Sequence, residues 1–425
     1  MRPMLLGLVV AAACVSERPC RDDAQCESGQ ACHVPEGAEL GACTSSTGEG
    51  EGEGEGEGEG EGEGEGDGTR ATAIAVGGSF SCAVDGVARV QCWGANGHGQ
   101  LGRATGGGLN DAFGADVIPE LTDVDLLVAS SFHGCAHGSY RDSLRLWCWG
   151  DAQNFSLGVS TAPAIGELVE PALPAGFGRD VVALATDGDN SGGITCASDG
   201  GETWCFGPHA PGNNPGNPAA VHVDELDGAL ELFVSTAGVC GSVASGMVCV
   251  EPGTALIGLG CAPGLPCVAL AAAEELTMNA ENVCTREGTA LRCAGDNDYG
   301  VVSPGAPTTG TLGLQAVGTG LHVDLGTHHG CAIDATLTPV CWGHWLWGNL
   351  GIPEEAPGSA PCPPGSGGAD CYGVTAVEVP SPFTTFASIA TFETRSCALA
   401  SDRRIVCWGN ELGEALAPTE AMLVP

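Results

Sequence analysis

The chain has 425 residues, with 69 Gly, 26 Pro and 23 Cys; its 14 basic residues are all Arg, and against 53 acids they leave a net charge of −39. So much Gly and Pro favours turns over helices. The acidity excludes a nucleic-acid partner, because nonspecific binding to phosphates depends on cationic side chains displacing counterions.

The first element, residues 1–13, reads as a signal peptide: Arg2, an apolar run from Met4 to Val10, then Ala11-Ala12-Ala13 before Cys14. That run is too short to span a bilayer, and no later segment reaches spanning length. Small residues directly before a cysteine resemble a bacterial lipobox, with Ala11 where Leu is more usual. Cleavage there would leave Cys14 as a lipid-bearing N-terminus. The expectation is an exported chain, either lipid-anchored at the cell envelope or extracellular.

Residues 14–44 form a short cysteine-rich module with Cys20, Cys26, Cys32 and Cys43, whose pairing the spacing leaves open. So few residues hold no core and need staples. Residues 45–70 read as a disordered linker, since Glu49 to Gly66 is nine Glu-Gly dipeptides. Gly gives flexibility there, and like charges at every second position extend the chain.

From residue 71 the cysteines organise the sequence. Seven pairs recur at similar spacing: Cys82/Cys92, Cys135/Cys148, Cys196/Cys205, Cys240/Cys249, Cys284/Cys293, Cys331/Cys341 and Cys397/Cys407. Two short local pairs remain, Cys261/Cys267 and Cys362/Cys371. With Cys14 set aside every cysteine has a partner, as an exported chain in an oxidising compartment requires. Zinc is the weaker reading, because its sites show closer doublets than these.

Each pair brackets turn residues, as in Asp199-Gly200-Gly201-Glu202, and follows an apolar run. The runs are Ile74–Val76, Leu126–Val128, Val181–Leu184, Leu232–Val234, Val268–Leu270, Val323–Leu325 and Ser388–Ala390. Turn chemistry between β-prone segments predicts hairpins. Residues placed symmetrically about a hairpin turn face each other on adjacent strands, near disulfide reach. A period near fifty residues suits four short strands per unit, and seven units predict an all-β, seven-bladed β-propeller over 71–425. The final Met422-Leu423-Val424-Pro425 is expected to meet the first unit and close the ring.

After the second cysteine comes Cys92-Trp93-Gly94-Ala95-Asn96-Gly97-His98-Gly99-Gln100-Leu101-Gly102. It resembles the regulator of chromosome condensation repeat, marked by Trp-Gly, Asn and Gly-Gln-Leu-Gly. Trp149-Gly150, Trp342-Gly343 and Trp408-Gly409 repeat the core, with weaker versions at Phe206-Gly207 and Ala294-Gly295; the fourth unit departs at Val250-Glu251. His133 and His329 sit where that family places its His. The resemblance implies the propeller fold. The eukaryotic namesake exchanges nucleotide on a small GTPase and binds chromatin, partners that an exported acidic chain does not meet. Secreted bacterial relatives include β-lactamase inhibitors that bind through one propeller face.

Residues 197–204 nearly match a sialidase Asp-box, read here as a structural turn. Asp187-Gly188-Asp189-Asn190-Ser191-Gly192 resembles the start of a calcium loop, but Ser198 stands where the closing Glu belongs. His133, His137, His328, His329 and His344 cluster near turns and are read as turn residues rather than metal ligands. No catalytic elbow, phosphate loop or zinc-protease helix is present. Accordingly no catalytic residue, metal or cofactor is assigned. Insertions at 251–267 and 344–380 are the expected functional loops, and Trp345, Trp347 and Tyr372 are candidate binding residues for a protein or glycan. The expected function is a noncatalytic binding scaffold outside the cytoplasm. The alternative is a propeller-based hydrolase or lyase acting on an extracellular polymer or small molecule.

Overall fold

A computed structural model describes residues 68–424 except 105–111, 190–191, 214–218, 237, 252–253, 305–309, 346–347, 353–370 and 412–413. It also describes the backbone of three short N-terminal strands, Pro19–Cys20, Gln30–His33 and Gly41–Ser45. These three form a sheet of their own in which Cys32 and Cys43 are register partners. Residues 1–18, 21–29, 34–40 and 46–67 lie outside the described residues, and with them Cys14, Cys26 and the whole Glu-Gly tract from Glu49 to Gly66.

From residue 71 onward, seven antiparallel sheets follow one another along the chain. Five have four strands. The second has three (Leu121–Ala129, His133–Tyr140, Ser143–Gly150), completed by an isolated bridge from Cys148 to Val169. In the fourth (Glu231–Ser235, Gly238–Val243, Gly246–Val250) a bridge from Val248 to Pro266 takes the place of the outer strand. Innermost strands line the axis, at Ala71–Val76, Leu121–Ala129, Ala183–Asp189, Glu231–Ser235, Glu275–Met278, His322–Leu325 and Phe386–Phe392. This is a seven-bladed β-propeller.

One inner strand is not where the apolar runs place it. Val268–Leu270 is a turn of 3-10 helix, and the fifth blade starts at Glu275. Glu275 meets Arg286 at 2.9 Å, and the Thr277 hydroxyl donates to Asp324 Oδ1 at 2.6 Å. Polar partners thus let a strand facing the axis dispense with an apolar pattern, while Leu270 alone of the helical turn enters the core.

Within every blade two cysteines stand directly opposite each other on the second and third strands and are joined. From the first blade to the seventh the bridges are Cys82–Cys92, Cys135–Cys148, Cys196–Cys205, Cys240–Cys249, Cys284–Cys293, Cys331–Cys341 and Cys397–Cys407. In each case the two half-cystines are register partners in the sheet. Their Cα atoms are 4.1 Å apart in the first blade and 4.0 Å in the fourth and seventh, close to the spacing of a non-hydrogen-bonded antiparallel pair. The glycine after the third-strand aromatic has φ near +100° in several blades: +107° at Gly94, +106° at Gly150 and Gly343, +100° at Gly409. A Cβ there would run into the carbonyl just before the second strand, Phe132 O at Gly150 and Thr394 O at Gly409, so both the backbone and the space demand glycine.

Blades join through the repeat residues. Trp149 Nε1 donates to Gln100 O of the preceding blade at 2.9 Å, Trp342 Nε1 to Val301 O at 2.9 Å and Trp408 Nε1 to Asn349 O at 2.9 Å. Each indole is almost fully buried, so it joins a large apolar contact to a satisfied donor. The ring closes without a shared sheet. Val424 exchanges two hydrogen bonds with the Gln91 side chain, both 2.8 Å, and Ala71 N donates to Arg403 O at 2.8 Å. Leu423, Leu399 and Ile405 pack there against Ile74 and Ala71.

Candidate functional site

Strand direction sorts the connections. Turns between inner and second strands, and loops between third and outer strands, lie at one end of the propeller, called here the loop face. The hydrogen bonds Ala95 N to Ser79 O, Asp151 N to Phe132 O and His344 N to His328 O tie these connections together. The tight turns between second and third strands lie at the opposite face, where the chain enters: Gly68 O accepts from Gln91 Nε2 at 2.9 Å.

The five histidines separate into two groups. His133 is buried, with Nδ1 2.6 Å from Ser130 Oγ and Nε2 3.0 Å from both Thr195 Oγ1 and Thr186 Oγ1 of the next blade. Burial pushes its imidazole down to about 4. His329 occupies the same position in the sixth blade, with Nε2 3.0 Å from Ser396 Oγ of the seventh, and falls to about 3 through burial, with His328 and His344 adding repulsion. In the seventh blade Arg395 takes this position and donates to Ser81 Oγ of the first at 3.1 Å. These residues bind blade to blade. His137 serves similarly in the second blade, 2.7 Å from Asp125 Oδ1 and 2.9 Å from Arg179 O. Burial lowers its imidazole, but the Asp125 hydrogen bond and charge outweigh that, and it moves up.

His328 and His344 instead gather around Tyr299, with ring centroids 3.9 and 4.9 Å from it. Sequence spacing gave no sign of this cluster, because Tyr299 comes from the preceding blade. Among the described residues, no group of three or more His, Cys, Asp or Glu is arranged to hold a metal ion.

The insertions are less free than their lengths suggest. In 251–267 a short helix, Thr254–Gly258, and the Cys261–Cys267 disulfide pack Ala255 and Leu256 against Phe233 and Leu276, leaving Ile257 and Leu265 exposed. Trp345 corrects the expectation of an exposed binding residue: it is 7% exposed, and its Nε1 donates to Ile352 O at 2.7 Å. It sits at the end of a third strand, and Ile352 turns back beneath it to complete the core of blade six. Trp347 and the Cys362/Cys371 pairing lie outside the described residues; Tyr372 lies in the outer strand Cys371–Glu378. The Asp-box-like segment is a second-to-third-strand turn, in which Asp199 Oδ1 accepts from Gly201 N and Glu202 N at 2.9 and 2.8 Å. In the calcium-like segment, Asp187 accepts from Thr236 N of the next blade at 2.7 Å.

Along the axis runs a cavity of about 380 Å³ to which every inner strand contributes. Its walls carry Asp187, Glu275, Glu281, Asp324 and Glu393 and no Arg or His. Asp324 accepts from Thr277 Oγ1, Leu325 N and Thr391 N at 2.6, 2.9 and 2.7 Å, and burial raises it to about 6. Glu393 accepts from Ser131 Oγ of the second blade at 2.9 Å.

No family model matches the chain. Over 94 residues it is 36% identical to the RCC1 domain-containing protein RUG3, mitochondrial, of Arabidopsis thaliana, covering 22% of this chain and 20% of that protein. The chain thus matches about a fifth of that relative's length. Among solved structures it resembles yeast RCC1 (Prp20) bound to Kap60, with a TM-score of 0.61 and 16% identity over 78% of this chain and 83% of that one. Prp20p from Saccharomyces cerevisiae gives a TM-score of 0.63 and 15% identity over 83% and 87%. At such identities the structural likeness speaks for the fold.

Proposed function

We propose that this propeller of regulator of chromosome condensation repeats is a noncatalytic binding scaffold that works outside the cytoplasm. The observation that carries the reading is a disulfide inside every blade. Bridges in such number form and persist in oxidising compartments, and they stiffen a frame whose loops between third and outer strands emerge on one face. Rigid frames with one loop-bearing face are suited to recognition. A similar propeller, yeast Prp20p, is itself a binding protein, with Gsp1p and histones among its ligands. Here the partner would be a protein or glycan met at the cell envelope, and the tether a lipid on Cys14 followed by the Glu-Gly linker.

Two experiments test this. Cys14→Ser is expected to abolish acyl labelling and release the chain from the membrane fraction; unchanged label refutes the anchor. Affinity capture from envelope and culture supernatant with the intact chain should recover a partner that is lost when the exposed loop-face segment 160–165 is replaced by a Gly-Ser linker. Recovery insensitive to that change refutes recognition by the loop face.

A further inference from the structure

The outer rim of the fourth and fifth blades carries a step that goes beyond the scaffold reading. We propose that the edge strand Thr311–Thr319 is where a second copy of this chain docks, the two strands pairing antiparallel about a twofold axis near Gln315.

Thr311–Thr319 is the outer strand of the fifth blade, and among the described residues no strand pairs with its far side. A sheet edge is a row of unpaired N–H and C=O groups, and proteins blunt such edges with charge, proline or short length. The other outer strands are blunted in this way. Ala112–Val117 carries Asp116, Cys371–Glu378 ends in an exposed Glu378, Glu414–Ala421 carries Glu420, and Val221–His222 has only two residues. Thr311–Thr319 has nine residues, none of them charged or proline, and every one is exposed or half-buried. Register shifts beside Leu291 and Cys293 interrupt its inner pairing and leave Gln315 and Ala316 as its regular middle, where the axis is placed.

Charge selects the occupant. Residues 252–273 and 299–323 are the two longest stretches of the chain without Asp, Glu or Arg, although the whole carries −39. The helix Thr254–Gly258 brings them together: Leu256 and Leu259 share an apolar cluster with Leu314, and a Cβ on Gly258 would lie 3.9 Å from Thr311 Cγ2. Copies this acidic repel each other across most of their surfaces, and this flank lets them approach. Ile257 stands on it, 62% exposed, and gains apolar burial there. The two ends of the strand carry opposite charges. Asp296 is the register partner of Thr311, and Asp298 accepts from Gly310 N at 3.1 Å, whereas Arg292 is the register partner of Ala316. The Arg292 side chain is 46% exposed and meets Glu287 only at 4.0 Å. An antiparallel pair sets the acidic end of each copy beside the arginine of the other, a match that the twofold axis makes twice. A parallel pair would oppose like with like.

The test is sedimentation velocity over a concentration series, on the full chain carrying Cys14→Ser so that neither a lipid nor a disulfide through that residue links copies. A monomer-dimer equilibrium is expected. Gln315→Glu sets two carboxylates against each other at the axis and should weaken the dimer about tenfold. Gln153→Glu, the same change at an exposed position on the loop face, should leave it unchanged. Arg292→Glu should weaken the dimer too, and adding Asp298→Arg to that chain should restore it. Equal melting temperatures among these chains exclude a folding defect. The inference is overturned by a chain that stays monomeric up to about 100 µM, by a dimer that Gln315→Glu leaves intact, or by an Arg292→Glu, Asp298→Arg chain that stays monomeric. A monomer that still captures a partner through segment 160–165 would overturn it while leaving the scaffold reading intact. A monomer that loses its captured partner on Gln315→Glu would assign the edge to a different polypeptide and overturn the second copy.

Discussion

Acidification is expected to loosen the propeller at two joints before its surface carboxylates titrate. His133 and His329 are held neutral in the fold, near 4 and 3, whereas an imidazole in the unfolded chain titrates near 6.5. Their folded values are depressed, so protons favour the unfolded chain, and stability present above about pH 6.5 is lost as pH falls toward 4. At about pH 5 each unfolded imidazole is almost fully charged and each folded one almost fully neutral, which costs about 2 kcal/mol per residue relative to pH 7.5. Asp324 opposes them. Its carboxyl is raised to about 6, it takes up a proton in the fold first, and it returns about 1.4 kcal/mol. His137 and Glu281, also raised in the fold, return smaller amounts, and His328, lowered by burial, adds a smaller loss. The net loss is about 2 kcal/mol between pH 7.5 and 5. Chemical denaturation followed by fluorescence of the eight tryptophans at fixed ionic strength measures it. The fifth blade supplies the control, since Asn282 opposite Gly295 occupies the position of His133 opposite Gly150 and His329 opposite Gly343. The double change His133→Asn, His329→Asn should abolish the loss and let stability rise on acidification. An unchanged slope in that variant would refute the assignment of the pH dependence to these joints.

Three further outcomes follow from the packing. Gly150→Ala sets a Cβ against Phe132 O at φ +106° and should cost about 3 kcal/mol in the same denaturation assay. Trp342→Phe removes the donor to Val301 O and leaves space at the boundary of blades five and six; a loss of about 2 kcal/mol is expected, with peptide mapping still showing Cys331 joined to Cys341. Replacing Cys196 and Cys205 together by Ala opens a loop of separation 9 and should lower stability by about 2–3 kcal/mol, read as a shift in the denaturation midpoint.

The blades were legible in the sequence because the features that define them are local. Cysteines facing across a short turn, and a glycine whose φ no other residue tolerates, print the hairpin within about a dozen residues. What stayed hidden depends on distant partners. The fifth inner strand, Glu275–Met278, looks too polar until Arg286 and Asp324 are seen beside it, and the apolar run Val268–Leu270 drew the assignment away. Trp345 reads as an exposed aromatic in a long loop until Ile352 folds back to accept its N–H. The cavity was the least legible feature, since its carboxylates are spread from Asp187 to Glu393 and converge only once the ring has closed. Likewise, nothing local marks Tyr299, His328 and His344 as neighbours.

The placement of the disulfides has a consequence for how such a molecule fails and how it varies. Each of the seven blade bridges stays inside its own blade, Cys240–Cys249, Cys284–Cys293 and Cys397–Cys407 no less than the rest. Neighbouring blades are held by an imidazole, an indole, a guanidinium or a few apolar side chains. Among the described residues no disulfide crosses a blade boundary, so the weak planes of the ring are radial. Stress should separate intact blades from one another, as cards slide in a pack. The same division leaves the connections open to change: a loop can lengthen, as 251–267 has, without disturbing any bridge but one that it carries itself.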